Sequence, residues 1–104
     1  MKRIKRRYLA LKLECESLPT EREFMDAVWA SVAKLYGEVG ASQTSLALIN
    51  LDIDRKVAII RVSLAALNLV KASLATITSL TGREATFHVV AVSGTLKALY
   101  ASLK

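Results

Sequence analysis

The sequence predicts a single α+β domain: an antiparallel sheet in the order β-α-β-β-α-β, with an added C-terminal helix. Three observations predict it. A run near the start alternates strictly between apolar and polar positions, two helical runs each stop at a glycine, and two short apolar runs flank a five-residue polar connection. At 104 residues the chain has the length of one domain, so residues 1–104 are read as a unit, with 1–6 as a basic N-terminal arm free to flex.

From Tyr8 to Glu14 the period is two. Leu9, Leu11, Leu13 and Cys15 point one way, and Tyr8, Ala10, Lys12 and Glu14 point the other, the pattern of a half-buried strand. Leu18-Pro19 then leads into Thr20-Glu21-Arg22-Glu23, a capping box in which the Thr20 hydroxyl and the Glu23 carboxylate each accept from the other residue's N–H. The helix that follows keeps Phe24, Val28, Ser31, Val32 and Leu35 on one face and ends at Gly37. Ser45 to Leu51 and Val57 to Val62 read as strands of a hairpin around Asp52-Ile53-Asp54-Arg55-Lys56. A second helix covers Leu64 to Thr81 and stops at Gly82, a last strand covers Glu84 to Val92, and Leu96, Leu99, Tyr100 and Leu103 form the stripe of a terminal helix. This is the split βαβ order of ferredoxin-like and RNA-recognition-like folds, in which two helices cover one sheet face and leave the other free. Leu46, Leu48, Val57 and Ile59 are expected to make that free face apolar, a better surface for a protein or for the terminal helix than for RNA.

The composition bounds the function. A hydrophobic share of 53% is high for so small a domain, so part of it is read as surface kept for a partner chain. Lys2, Arg3, Lys5, Arg6 and Arg7 fall within the first seven positions; without them ten basic residues face nine acidic ones. A basic arm on a nearly neutral domain is the footprint of a polyanion contact, or else a solvated tail. Cys15 stands alone, which excludes an internal disulfide, suits a cytoplasmic location and marks a half-buried, inert thiol. No secretory signal or membrane-spanning run is expected, because Lys12 interrupts the first apolar run and small polar residues interrupt the second.

Catalytic chemistry finds little to work with. His88 has no acidic or nucleophilic neighbour in sequence, Asp52 and Asp54 read as turn carboxylates, and no phosphate loop or nucleophile elbow is present. No active site, metal site or cofactor is expected in this chain. The first strand offers only Tyr8 as an aromatic and the third offers none, so base stacking across the sheet is not expected either. Ser93-Gly94-Thr95-Leu96-Lys97 is the sharpest local feature, a strand-to-helix turn with two readings left open. Its hydroxyls cap the helix, or the turn and Lys97 hold a phosphate. In the second helix only Lys71 is charged and the polar positions are small, which fits either close packing against a neighbour or a thin polar coat.

The chain as a whole resembles the family of ribonuclease P protein component 2 of archaea and its eukaryotic counterpart. The resemblance runs from about Arg6 to Leu99. It is carried by Arg7-Tyr8-Leu9, Val28-Trp29, Gly37-Glu38-Val39-Gly40, Ile59-Ile60-Arg61, the helix before Gly82, and above all Val92-Ser93-Gly94-Thr95-Leu96-Lys97. The chain departs from similar archaeal members after Arg61, where Leu64-Ala65-Ala66 replaces further charged residues. The resemblance implies a non-catalytic subunit of an endoribonuclease whose RNA, with magnesium, removes the 5′ leader of precursor tRNA. It also implies pairing with the barrel-shaped ribonuclease P protein subunit, two such pairs forming a heterotetramer, with precursor tRNA met only indirectly. The residues expected to meet RNA are Lys2, Arg3, Lys5, Arg6, Arg7, Ser93, Gly94, Thr95 and Lys97. Two other readings stand beside this one: a ferredoxin-like module that binds a small regulatory molecule, and an assembly adaptor without RNA contact.

Overall fold

The computed structural model describes residues 5–15, 19–42, 44–80 and 82–103, with the backbone alone at 38–42. The alternating run forms β1 (Arg6–Cys15), the central strand of the sheet. It pairs antiparallel with β3 (Val57–Ser63) on one side and with β5 (Arg83–Ser93) on the other. β2 (Ala47–Asp52) extends the sheet beyond β3, and the short β4 (Ser79–Leu80) pairs with the start of β5, giving the order β2-β3-β1-β5-β4. Apart from the short β4, this is the expected ferredoxin-like arrangement.

α1 (Glu21–Ser42) starts at the capping box, with both reciprocal bonds formed. Thr20 N–H donates to Glu23 Oε1 at 2.9 Å, and Glu23 N–H donates to Thr20 Oγ1 at 3.2 Å. Thr20→Ala should therefore cost about 1 kcal/mol in a denaturant titration, with an unchanged slope. The helix breaks where expected, at Gly37 (φ 79°, ψ 166°), although helical backbone resumes to Ser42. Phe24, Val28 and Val32 reach the core, where the Phe24 and Phe87 rings pack 5.3 Å apart. Leu35 does not join them, being exposed in the last turn before the break.

The second helix is shorter than its pattern. A 3₁₀ turn at Leu64–Ala66 leads into α2 (Leu67–Ala75), which ends well before Thr81, itself outside the described residues. Thr76, Ile77 and Thr78 are all β-branched and poorly suited to extend a helix. Thr76 instead turns its hydroxyl back to donate to Ser73 O at 2.7 Å, and Thr76 N–H donates to the same oxygen at 3.1 Å. Gly82, at φ 80°, sits in the β4–β5 turn and does not end the helix. Ser73 of α2 and Thr76 just beyond it meet α1: Ser31 Oγ donates to Ser73 O at 2.6 Å and lies 3.0 Å from Thr76 Oγ1, while the buried Ser73 Oγ donates within α2 to Leu69 O at 2.9 Å.

The two sheet faces carry separate cores. Leu9, Leu11 and Leu13 pack with Phe24, Val28, Val32, Val70 and Leu74 on the helix side. On the other side Ala10 and Ile59 meet Leu99 of α3 (Leu96–Ser102), ringed by Tyr8, Ile49, Val57, Ala91, Leu96 and Leu103. The terminal helix thus covers part of the face that α1 and α2 leave free. Two residues expected on that face, Leu46 and Leu48, pack instead against the helix-side core. A register shift between Leu48 and Asn50 places Ile49 on the open side and inverts the simple alternation of β2.

Candidate nucleic-acid interface

Strand register brings the basic arm and the Ser-Gly-Thr turn together. Tyr8 stands opposite both Arg61 of β3 and Ser93 of β5, and Arg6 stands opposite Ser63. The start of β1, the ends of β3 and β5, and the start of α3 therefore lie at one end of the sheet. Leu64 N–H also donates to Lys5 O at 2.7 Å there. The Arg7 guanidinium lies across Gly94: its Nη1 donates to Arg6 O at 2.9 Å, and a Cβ at Gly94 would stand 3.7 Å from that same nitrogen. Arg6 and Lys97 are exposed, and Arg7 is half-buried. Of the nine residues expected to meet RNA, Lys5, Arg6, Arg7, Ser93, Gly94, Thr95 and Lys97 are brought to this end. Lys2 and Arg3 lie outside the described residues.

The turn does cap its helix. Thr95 Oγ1 accepts from Ala98 N–H at 3.2 Å, and Ser93 Oγ accepts from Thr95 N–H at 3.4 Å. Each hydroxyl is used as an acceptor, which leaves its own O–H as a donor. The capping reading holds, and it fixes the turn beneath Arg7.

Charge is unevenly placed along the sheet. Among the described residues, Lys5, Arg6, Arg7, Arg61 and Lys97 form no ion pair, whereas Arg22–Asp26 at 3.9 Å and Arg55–Asp52 at 4.0 Å pair elsewhere, and His88 Nε2 lies 3.5 Å from Glu14 Oε2. Glu14, Asp52, Asp54 and Glu84 lie toward the opposite end, interleaved there with Lys12, Arg55, Lys56 and Arg83, and Glu21, Glu23 and Asp26 flank Arg22 in the first turns of α1, which follows that end of β1. Cations gathered without counter-charge attract a polyanion and cost energy to hold together when none is bound. A largely apolar groove, floored by Val57, Ile59, Tyr100 and Leu103 with Asp52 and Arg55 also lining it, lies beside α3 and shares no residue with the basic cluster.

Arg61 belongs to this cluster and was not among the residues expected to meet RNA. Its signal was a lone cation inside the apolar run Val57-Ala58-Ile59-Ile60-Arg61-Val62 of a central strand. Among the described residues no three His, Cys, Asp or Glu side chains converge as a metal site, and no helix is long and apolar enough to cross a membrane. Burial pushes the Cys15 thiol above its ordinary pKa, with Lys56 partly offsetting the shift, so the thiolate is disfavoured.

The sequence has clear relatives. Ribonuclease P protein component 2 of Methanosarcina mazei is 34% identical over 95 residues, covering 91% of this chain and 80% of that protein. The Pyrococcus furiosus protein of the same name is 32% identical over 97 residues, covering 93% and 81%. A chain in the cryo-EM structure of yeast ribonuclease MRP superposes with a TM-score of 0.73 at 17% identity, covering 92% of this chain and 79% of its own length, which shows a shared fold. The model of the Rpp14/Pop5 family matches residues 7–104, a span that starts at the arginine lying over Gly94 and takes in the whole sheet: the chain belongs to that family.

Proposed function

We propose that this chain is a non-catalytic protein subunit of ribonuclease P that binds the catalytic RNA and supports it in removing the 5′ leader of precursor tRNA. The observation that carries the reading is the gathering of Lys5, Arg6, Arg7 and Lys97 at one sheet end with no carboxylate among the described residues there. Membership of a family whose relatives are ribonuclease P protein components supports the assembly in which this end would work. Arg6, Arg7 and Lys97 neutralise phosphates, and the Ser93 and Thr95 hydroxyls donate to phosphate oxygens beside the Arg7 guanidinium. Cleavage belongs to the RNA and its magnesium. The barrel-shaped ribonuclease P protein is the expected protein partner, in a heterotetramer of two pairs, and Trp29, Leu35 and Tyr36, exposed on α1, offer apolar surface for protein contact.

The test is precursor-tRNA cleavage at limiting magnesium by catalytic RNA and the partner subunit, with and without this chain. Restored 5′ cleavage is the expected result. No effect, with the partner verified as bound, would overturn the reading.

A further inference from the structure

Two buried side-chain polar atoms among the described residues lack a hydrogen-bond partner: Arg61 Nε and Ser63 Oγ. They are two residues apart on β3, so their side chains leave the same face of the strand. Both sit at the basic end. Arg61 is flanked by Tyr8 and by Ala47, which stops at its Cβ, and Ser63 stands opposite Arg6. Ser63 also precedes the 3₁₀ turn at Leu64 and makes no cap there.

Buried donors are nearly always satisfied, and leaving one unmade is expensive, most of all on a charged group. Two such donors on one strand face, at the end where cations gather without carboxylates, lack an acceptor that comes from outside the chain. Guanidinium Nε and Nη present a planar fork that matches phosphate oxygens, and a hydroxyl can donate to a third. We infer that Arg61 and Ser63 form the seat of one RNA phosphodiester, gripped by the Arg61 fork and the Ser63 hydroxyl, with Arg6 on the neighbouring strand adding charge. This seat rests on the RNA-binding reading above and adds to it a contact of fixed geometry, where the arm supplies charge alone.

The test uses the full chain with the catalytic RNA of Methanosarcina mazei ribonuclease P as probe, read by binding at several salt concentrations, phosphate-ethylation interference and thermal melting. Arg61→Lys keeps the charge and loses the fork, so affinity should fall about tenfold at an unchanged salt slope. One phosphate should drop out of the interference pattern at the same time. Ser63→Ala removes a hydroxyl that the free protein leaves unbonded, so it should raise the melting temperature while weakening RNA binding about threefold to tenfold. If Arg61→Lys binds like the parent with the same interference pattern, while neutralising Arg6, Arg7 and Lys97 abolishes binding, the seat is wrong and RNA binding stands. A Ser63→Ala chain that melts lower and binds equally well also overturns the seat, by making the hydroxyl structural. A parent chain that does not bind the probe saturably removes both readings.

Discussion

Replacing Arg6, Arg7 and Lys97 together by glutamine is expected to flatten the salt dependence of RNA binding by roughly 2 to 2.7 in log–log slope, since each neutralised phosphate contributes about 0.7 to 0.9. A fourfold rise in salt then costs the parent roughly 20- to 40-fold more affinity than the variant. The fold should be untouched. Among the described residues none of the three cations has an acidic partner to lose, and removing like charges that share one end relieves repulsion. Melting curves separate the two effects, and an equal slope for both proteins would withdraw these residues from the interface. Glutamine is the apt replacement because it removes the charge yet keeps a polar side chain with part of the apolar stem.

Leu99→Ala is expected to lower stability by about 2 to 5 kcal/mol, a large share of the roughly 5 to 15 kcal/mol of an ordinary domain. Leu99 is fully buried between α3 and the sheet, against Ala10 and Ile59, and those small or compact neighbours cannot refill the space. A helix of α3's length does not hold its shape in water without such packing. The amides of its last turn should therefore lose hydrogen-exchange protection together with the fall in denaturation midpoint. The loss should reach the RNA as well, because Lys97 and the Thr95 cap ride on this helix. An unchanged midpoint would mean that α3 is held by something other than this side chain.

What the sequence made legible follows from how local each signal is. The leucine alternation of β1 and the capping box before α1 are complete within a few residues, and both appear as read. The end of α2 was misplaced because Leu64 to Thr81 is apolar throughout, and apolarity alone does not say where a helix gives way to a turn. The deciding residues were Thr76, Ile77 and Thr78, whose branching was outweighed by the glycine six residues after Thr76. Leu46 and Leu48 went to the wrong face because the irregularity beside Ile49 is a property of strand pairing, which no single strand displays. The site shows the same division. The basic arm and the Ser93 turn were each visible as motifs, but their union depends on the pairing of Tyr8 with Ser93, residues 85 positions apart in the chain. Arg61 was hidden by its company, since a strand of valine and isoleucine reads as core and draws attention away from its one cation.

The uneven placing of charge along the sheet has a mechanical meaning. A net charge of +6 spread evenly would draw the chain toward RNA without turning it. Here unpaired cations stand at the start of β1, whereas at the hairpin end and the head of α1 the acidic side chains are interleaved with Lys12, Arg22, Arg55, Lys56 and Arg83, so one end is strongly positive and the other carries little net charge. In the field of a polyanion a molecule charged at one end feels a torque as well as a pull. If the chain binds RNA as proposed, it would be rotated while still in solution, so that its first collision would be made with Arg6, Arg7 and Lys97 leading. Orientation precedes fit, and added salt slows arrival by removing the aim as much as the attraction.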